Sequence, residues 1–257
     1  MDAHGLGVVV TGAGHGIGRA LAARMAAEGA RVVVNDLDAA AVDAVARELG
    51  ATAVPGDAAS EEGVAELISA ARDHLGKIDV YFANAGIDAG AGLDAPEADW
   101  ARSLEVNVMA HVRAARQLVP AWLETGGGRF VVTASAAGLL TMLGSAPYSV
   151  TKHAAVGFAE WLSATYGHRG VVVQAVCPQG VRTRMLEDAG PLQEVLSHDA
   201  VLEPDEVAEA VWQGMQDDRF LILPHPEVAE YYVHRATDTD RWLAGMRRIQ
   251  AKLDGAS

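Results

Sequence analysis

The stretch PYSVTK, residues 147–152, places a tyrosine and a lysine four positions apart directly after a proline. On a helix, residues at i and i+4 share one face, so Tyr148 and Lys152 would lie one turn apart. A positive charge about 4 Å from a phenol contributes on the order of 4 kcal/mol at an effective dielectric of about 20, which lowers a tyrosine pKa by roughly 3 before desolvation is counted. The pair predicts proton transfer near neutrality, although an ordinary half-buried helical turn has the same pattern.

A second candidate for chemistry is the glycine-rich stretch TGAGHGIGRA, in which Gly12, Gly16 and Gly18 follow a GxxxGxG spacing. A dinucleotide pyrophosphate binds against the main chain at a helix N-terminus, where a Cβ would clash and free N–H groups face the anion. The spacing predicts such a site. A tight connection between a strand and a helix is the alternative.

The acidic residue Asp36 ends the second apolar run, and its position predicts the cofactor type. A carboxylate there can accept hydrogen bonds from both adenosine ribose hydroxyls and would repel a 2′-phosphate. The neighbouring Leu37 and His15 supply no fixed positive charge for a phosphate. We therefore expect NAD rather than NADP, with a solvated acid at a strand end as the alternative.

Short β-branched runs alternate with longer helical patterns along the whole chain, and this order predicts how the candidate residues are positioned. Strands that are apolar on both faces and separated by helices are typical of a parallel sheet covered on both sides. The predicted strands are 7–12, 30–36, 51–57, 78–86, 129–135, 171–180 and 219–224. The predicted helices are 17–29, 39–50, 60–76, 99–128, 147–167, 204–215 and a tail from 226 to about 253. The weakest pattern, 184–203, predicts a loop over the edge of the sheet, where ligands bind.

The overall composition excludes several classes of protein. The net charge of −14 argues against nucleic-acid binding, because an acidic protein repels phosphate backbones. The single cysteine, Cys177, cannot form an internal disulfide and follows an apolar run, so we expect a buried core residue in a reducing cytoplasm. The sequence predicts neither a signal peptide nor a membrane span. The histidines lack ligand-type spacing, so we expect no metal, and 225–234 reads as a surface helix.

Six motifs in order along these elements resemble the short-chain dehydrogenase/reductase family of the compact kind. They are Thr11-Gly12-x-x-x-Gly16-Ile17-Gly18, Asp57 after the third strand, Asn84-Ala85-Gly86 after the fourth, Asn107 within the long helix, Ser135 after the fifth strand and Tyr148-x-x-x-Lys152. The resemblance covers nearly the whole chain. It implies an α/β fold of the Rossmann type, a doubly wound parallel sheet of about seven strands with helices on both faces. It also implies that residues 1–257 form a single dinucleotide-binding catalytic domain.

The resemblance assigns roles to individual residues. It implies four catalytic residues: Ser135 binds the substrate oxygen, Tyr148 transfers the proton, Lys152 binds the nicotinamide ribose, and Asn107 positions a water that links Lys152 to solvent. It implies cofactor contacts at Gly12, Gly16, Ile17, Gly18, Asp36, Asp57, Ala58, Asn84, Gly86, Tyr148, Lys152, Pro178, Val181 and Thr183. Within this set the adenine would be held by Asp57 and Ala58. The surface beneath the cofactor riboses would be formed by Asn84 and Gly86, and Thr183 would bind the nicotinamide amide. Ser135 as a strand-end cap and Asn107 as a surface residue are the alternatives.

One departure from the family pattern points to the substrate. The family usually has Pro-Gly after the sixth strand, whereas this chain has Pro178 followed by Gln179 and then Gly180. We expect either a shifted loop or a Gln179 side chain that lines the substrate pocket. The pocket is expected to include Ala137, Leu143, Gln179 and Met185, together with Ile87, Ala136, Leu139, Leu140, Met142 and Leu186. This mainly apolar set favours a hydrophobic alcohol or ketone, unless half of it packs into the core.

The sequence therefore predicts an NAD-dependent oxidoreductase that interconverts a hydrophobic secondary alcohol and its ketone. An NADH-dependent carbonyl reductase working in the biosynthetic direction is one alternative. A non-catalytic dinucleotide-sensing protein, or an epimerase or dehydratase related to the extended members of the family, is another. The resemblance also implies a homotetramer or homodimer paired through the helices 99–124 and 147–167. A monomer with a wide core-facing stripe is the alternative.

Overall fold

The computed structural model describes residues 1–88, 92–187 and 200–255. Seven parallel strands form one sheet in the order β3-β2-β1-β4-β5-β6-β7. The strands are β1 (Gly7–Thr11), β2 (Arg31–Asn35), β3 (Thr52–Ala53), β4 (Val80–Ala83), β5 (Gly128–Thr133), β6 (Val171–Val176) and β7 (Leu221–Ile222). The predicted α/β fold, a doubly wound parallel sheet of about seven strands, is confirmed.

Helices cover both faces of this sheet. They are α1 (Gly16–Ala27), α2 (Ala39–Leu49), α3 (Glu61–Leu75), α4 (Glu97–Leu104), α5 (Ala110–Thr125), α6 (Ala137–Leu140), α7 (Ala146–Tyr166), α8 (Arg184–Glu187), α9 (Pro204–Gln216), α10 (Glu227–Thr237) and α11 (Thr239–Leu253). One apolar cluster joins the sheet to α3, α5 and α7, and the other joins it to α1, α2 and α9. The two clusters bury the side chains of the inner strands on both faces of the sheet.

The strand β1 illustrates why the sequence folds in this way. Val9 belongs to one cluster, whereas Val8 and Val10 belong to the other, because successive side chains point to opposite faces of a sheet. All three side chains are fully buried. Burying one valine stabilises the fold by about 1.5–3 kcal/mol relative to leaving it exposed. A run of valines is therefore stable only where helices cover both faces.

Two predicted helices differ from the structure. The predicted helix 99–128 consists of α4 and α5 joined by a π-helical turn, Glu105–Met109, and it ends at Gly126, whose φ of 89° no longer continues a helix. The predicted tail helix is α10 and α11, separated at Asp238, whose side chain accepts from Arg241 N and caps α11. The short α6 was not predicted. Within the predicted loop 184–203, residues 188–199 lie outside the described residues.

The strand order positions the site. The chain reverses direction across the sheet between β1 and β4, and open α/β sheets bind ligands in the crevice at the carboxyl ends of strands that flank such a reversal. Gly12 follows β1, Asp36 follows β2, Asn84 follows β4, and Ser135 comes soon after β5. The candidate residues therefore share one edge of the sheet.

Candidate active site

A cleft of about 1980 Å³ opens along this edge. Its volume is about twice the upper end of the roughly 300–1,000 Å³ typical of a pocket for one small ligand, so it has room for a cofactor and a substrate. Every residue predicted to contact the cofactor lines it: Gly12, Gly16, Ile17, Gly18, Asp36, Asp57, Ala58, Asn84, Gly86, Tyr148, Lys152, Pro178, Val181 and Thr183. Among the predicted catalytic residues, Ser135 lines it as well.

The glycine turn between β1 and α1 is too close to its surroundings for side chains. A Cβ on Gly12 would lie 2.9 Å from the Cα of Ala85, and one on Gly18 would overlap the carbonyl oxygen of Gly12. Gly12 and Gly16 also have positive φ angles of 62° and 52°. These positions therefore require glycine, and the first residues of α1 line the cleft, as a pyrophosphate site at a helix N-terminus needs.

Asn84 fixes the glycine turn from the neighbouring strand. Its Nδ2 donates to the carbonyl oxygens of Thr11 at 2.9 Å and Gly12 at 3.3 Å. The Thr11 Oγ1 accepts from the main-chain N–H groups of Asn84 and Ala85, each at 3.0 Å, and donates to the carbonyl of Phe82 at 3.1 Å. The loops after β1 and β4 are thus one rigid unit that forms the floor of the cleft.

Two carboxylates stand where the dinucleotide is expected. Asp36 Oδ2 accepts from Gly14 N at 2.9 Å, and its Oδ1 accepts from Asp38 N at 3.1 Å. Asp57 Oδ1 accepts from Ala59 N at 2.9 Å. A Cβ on Gly14 would lie 2.9 Å from Asp36 Oδ2, so the glycine allows the carboxylate to approach the turn. These contacts orient both side chains, and the glycine cradle with its acid at the second strand fits a dinucleotide.

The helix α7 carries the proton-transfer pair, with Pro147 in its first turn. Tyr148 and Ser135 both line the cleft, and the Ser135 side chain acts to lower the pKa of the Tyr148 phenol. Lys152 Nζ lies 5.5 Å from the centroid of the Tyr148 ring and donates to the carbonyl of Thr133 at 2.8 Å. Both Tyr148 and Lys152 are buried. The three predicted side chains, one from the loop after β5 and two from α7, thus line the same cleft.

Burial dominates the electrostatics of this pair. It raises the pKa of Tyr148 to about 12, with the Ser135 hydrogen bond opposing the rise and the nearby Asp88 carboxylate adding to it. Burial likewise lowers the pKa of Lys152 to about 8, whereas Cys177 and Asp88 act to raise it. The fall of roughly 3 in the tyrosine pKa expected from Lys152 is an upper limit that excludes desolvation, and desolvation outweighs it here because burial disfavours the phenolate.

Asn107 lies in the π-helical turn and is fully buried, so the surface alternative is wrong. Its Oδ1 accepts from Ile87 N and its Nδ2 donates to Ile87 O, both at 2.9 Å, while Nδ2 also donates to Thr151 Oγ1 at 3.0 Å. A Cβ on Gly86 would lie 3.2 Å from Lys152 Nζ and 3.3 Å from Asn107 Oδ1. The asparagine therefore fixes the loop after β4 beside the lysine.

The loop after β6 packs against Ser135 and carries the unusual glutamine. The carbonyl of Pro178 accepts from Ala136 N at 2.8 Å and lies 3.5 Å from Ser135 Oγ. Gln179 N donates to Nδ1 of the buried His225 at 3.1 Å, so the ring carries its proton on Nε2, which donates to the carbonyl of Ala200 at 3.1 Å. Gln179 lines the cleft. Its backbone is held in place rather than displaced from the site.

The end of the cleft beyond Tyr148 is mainly apolar. It contains most of the predicted pocket residues: Ile87, Ala136, Ala137, Leu140, Met142, Leu143, Gln179, Met185 and Leu186. Leu139 is the exception, because its side chain is buried in the core and its carbonyl accepts from Arg235 of α10. The wall is constrained: Thr141 has an unusual φ of 74°, and Ser149 Oγ bonds both the N–H and the carbonyl of Met142.

Several residues of the site were missed by reasoning from sequence. The helix α11 adds an apolar stripe of Trp242, Met246, Ile249 and Leu253, whose helical spacing was the available signal. Asp88 follows Ile87 into the cleft, and its place directly after the Asn-Ala-Gly motif was its signal. His225 was assigned to a surface helix, which is wrong: it precedes α10 and is 1% exposed. No local signal marked its contact with Gln179.

Cys177, at the end of β6, is fully buried, and burial raises the pKa of its thiol to about 12, which suits the predicted core residue rather than a nucleophile. The described part of the chain contains no group of three or more His, Cys, Asp or Glu side chains placed to hold a metal ion. Among the same residues, no helix has the length and apolar character needed to cross a bilayer.

Comparisons with known proteins show which family the chain resembles over most of its length. The family model described as short chain dehydrogenase matches residues 7–193. The 1-deoxy-11-beta-hydroxypentalenate dehydrogenase of Streptomyces avermitilis is 35% identical over 245 residues, which cover 92% of this chain and 90% of the relative. The meso-2,3-butanediol dehydrogenase of Serratia marcescens is 36% identical over 224 residues, 84% of this chain and 89% of the relative.

A solved structure extends the agreement to three dimensions. A short chain dehydrogenase/reductase from Burkholderia phymatum, in complex with NAD, superimposes with a TM-score of 0.86 at 30% identity, covering 93% of this chain and 96% of that one. The resemblance predicted from six short motifs is thereby confirmed over almost the entire length. On its fold, its family match and its relatives, the chain belongs to the short-chain dehydrogenase family.

Proposed function

We propose that this protein is an NAD-dependent oxidoreductase that interconverts a hydrophobic secondary alcohol and its ketone, with residues 1–257 acting as one catalytic domain. The observation that carries the proposal is the meeting of Ser135, Tyr148 and Lys152 at the end of a cleft that also contains a glycine cradle. Relatives named as dehydrogenases of hydroxypentalenate and of butanediol support the same reaction type.

The preference for NAD over NADP rests on Asp36. Its carboxylate is held at the end of β2 by Gly14 N and Asp38 N, and the adjacent Leu37 is 73% exposed and uncharged. A 2′-phosphate would meet the carboxylate without a fixed cation beside it, whereas a ribose diol would find a hydrogen-bond acceptor. The NAD complex of the related structure is consistent with this choice.

Each of the four candidate catalytic residues has a separate role in the proposed reaction. When bound, the nicotinamide supplies the hydride acceptor or donor and, in its oxidised form, a positive charge. Ser135 Oγ, which lines the cleft with Tyr148, donates to the substrate oxygen and orients it. In oxidation Tyr148 takes the hydroxyl proton as a phenolate, and in reduction it donates that proton as a phenol. Lys152 binds the ribose, and Asn107 keeps the neighbouring loop and a connecting water in place.

The pKa of Tyr148 bears on direction. At neutral pH a phenol with a pKa of about 12 is protonated, which suits proton donation in ketone reduction. Alcohol oxidation needs the phenolate and therefore depends on added positive charge close to the tyrosine. The NADH-dependent carbonyl reductase is therefore a second candidate, because the Tyr148 phenol is the proton donor that this direction requires. The non-catalytic sensor is disfavoured because the chain has all four candidate catalytic residues, and such sensors typically lose the tyrosine or the lysine.

Association into a homotetramer or homodimer is proposed on exposed apolar side chains. Three large apolar side chains are exposed on α4 and α7: Leu104 (41%), Val150 (50%) and Trp161 (55%). The family resemblance implies that subunits pair through these helices. A second copy of the chain would cover them. We further propose that the protein is located in a reducing cytoplasm, because its single cysteine, Cys177, is a buried free thiol.

The test is a turnover assay that monitors NADH formation with a panel of secondary alcohols, and NADH consumption with the matching ketones. We expect turnover in both directions and a kcat/KM with NAD at least about tenfold above that with NADP, since an unfavourable charge contact costs more than about 1.4 kcal/mol. Tight NAD binding without turnover of any alcohol or ketone would favour the sensor instead. A preference for NADP would overturn the role of Asp36 alone.

A further inference from the structure

The cleft is lined by a carboxylate, Asp88, that the proposed reaction does not use. Asp88 follows the loop after β4, is exposed, and lines the cleft together with Ser135, Tyr148 and Met142. An isolated acid is a poor neighbour for a purely hydrophobic alcohol, because a carboxylate needs hydrogen-bond donors when water is displaced from it. Its position therefore raises the question of which donor it meets when substrate is bound.

The carboxylate is held in place on two sides. The residue before it, Ile87, is bonded through both its N–H and its carbonyl to Asn107, each at 2.9 Å. On the other side, the buried Ser145 donates from Oγ to Asp88 Oδ1 at 2.6 Å. An ionised carboxylate has about four lone-pair sites on two oxygens, so the serine leaves capacity for further donors. Asp88 is thus an oriented acceptor rather than a freely rotating surface acid.

Asp88 also acts on the proton-transfer pair. Its negative charge raises the pKa of both Tyr148 and Lys152, and it therefore opposes formation of the phenolate that oxidation needs. A donor bound to the carboxylate reduces this opposition, because a charge-assisted hydrogen bond disperses the negative charge. A substrate that supplies such a donor would bind Asp88 and favour the reactive tyrosine at the same time.

Resting on the proposed function, we propose that Asp88 binds a second hydroxyl group of the substrate, so that the site takes a diol or a hydroxyketone in preference to a simple secondary alcohol. The apolar wall of Leu143 and Met185 would contact the carbon skeleton, and Ser145 would orient the carboxylate. A neutral hydroxyl fits better than an ammonium group. The reason is that Lys152, with its Nζ 5.5 Å from the Tyr148 ring, already places a positive charge at this end of the cleft.

The experiment compares cyclohexanol with cis- and trans-1,2-cyclohexanediol as substrates for the NAD-loaded wild-type enzyme and for Asp88→Ala. We expect a wild-type kcat/KM for at least one diol about tenfold or more above that for cyclohexanol, because cyclohexanol displaces water from the Asp88 carboxylate without replacing its hydrogen bond. In Asp88→Ala the ratio of the two kcat/KM values should fall about tenfold toward unity. NADH affinity and a thermal melt verify that the variant folds.

Further variants separate binding from charge. Asp88→Asn keeps an acceptor but loses the charge, so it should retain part of the diol preference while the acid limb of the pH profile moves to lower pH. Ser145→Ala should reduce the preference less than Asp88→Ala. Asp73→Ala, on the exposed surface of α3, makes the same change in net charge away from the cleft and should leave the ratio unchanged.

The outcomes distinguish this inference from the proposed function. Equal kcat/KM values for diol and cyclohexanol in the wild type, or an unchanged ratio in Asp88→Ala, would overturn the role of Asp88 while the secondary alcohol dehydrogenase stands. Better turnover of 2-aminocyclohexanol than of the diols would contradict the choice of a hydroxyl. Absence of turnover with every alcohol and ketone in the wild type would count against the proposed function itself.

Discussion

The two halves of the cleft are built by different means. In the half around the glycine turn, main-chain groups and short side chains fix one another: Asn84 holds Thr11 and Gly12, and Asp36 holds Gly14. In the half beyond Tyr148, long side chains from α6, α8 and α11 form the wall, and the polar groups Asp88 and Gln179 project among them. The first half is defined by backbone approach, and the second by side-chain identity.

This difference teaches which half is free to vary. A change in the glycine half forces atoms into overlap, as a Cβ on Gly18 would do with the carbonyl of Gly12. A change in the substrate half alters volume, charge or hydrogen bonding while the strands and their loops stay in place. We therefore expect substitutions in the first half to change cofactor binding, and those in the second to change the order of preferred substrates.

Tyr148 lies between the two halves, and its substitution gives the largest expected effect. Tyr148→Phe removes the Oη that transfers the proton but keeps the ring that packs beside Lys152. We expect kcat to fall by about 10²–10⁴-fold, the usual contribution of general acid–base catalysis. The dissociation constant of NADH, measured by fluorescence titration, should stay within a few-fold. Substantial residual turnover would remove Tyr148 from the mechanism, and lost NADH binding would make it part of the cofactor half.

A substitution at Gly18 tests the rigidity of the glycine half. In Gly18→Ala the new methyl group meets Gly12 O and the Asn84 amide, so the turn or helix α1 must shift. Such overpacking costs about 1–3 kcal/mol, and we expect the NADH dissociation constant to rise by roughly 10- to 100-fold.

The matched control is Gly157→Ala on α7, where a Cβ meets nothing within 4 Å. We expect its NADH affinity to equal that of the wild type. If Gly18→Ala bound NADH as tightly as this control, close approach of the main chain would not be what defines the cofactor half.

The same contrast explains how much the sequence could predict. The strand pattern and the spacing of Gly12, Gly16 and Gly18 predict the fold and this half of the site, since each depends on local residue type and chain order. Gln179 and Asp88 were harder, because their surroundings come from distant segments: His225 contacts one and Ser145 the other. The size of the desolvation effect on Tyr148 could not be predicted for the same reason, since it depends on burial that no local motif encodes.

Lys152 also lies between the two halves of the cleft, and its buried charge should lower the stability of the fold while it serves the reaction. Its ordinary pKa of 10.5 falls to about 8 in the folded chain, so between these values the unfolded state binds more protons and stability rises with pH. Lys152→Met removes the buried charge but also leaves the Thr133 carbonyl without its donor. We expect a net gain of about 1–3 kcal/mol in unfolding free energy at pH 7 and loss of turnover.

Urea unfolding at pH 7 and pH 10 measures this gain, which should shrink at the higher pH because the wild-type lysine is then neutral. Lys77→Met is the matched control: this lysine is 46% exposed in an ion pair with Asp79, where removal costs about 0–1 kcal/mol. A Lys152→Met variant that is less stable than the wild type at pH 7 would mean that the Thr133 contact outweighs the cost of burial.

The smallest expected effect is at Gln179, and it addresses the substrate half alone. Gln179→Gly restores the residue that the family usually has, and it keeps the main-chain N–H that donates to His225, so the loop stays anchored. Only the side chain in the cleft is lost.

We expect the ratios of kcat/KM between alcohols to change by roughly three- to tenfold, which corresponds to about one ordinary hydrogen bond. The affinity for NADH should be unchanged. Gln179→Ala removes the same amide without adding backbone freedom and should give the same ranking. Kinetics that are unchanged across the panel in both variants would show that the glutamine only fills space, and the substrate half would then be defined by its apolar wall and Asp88.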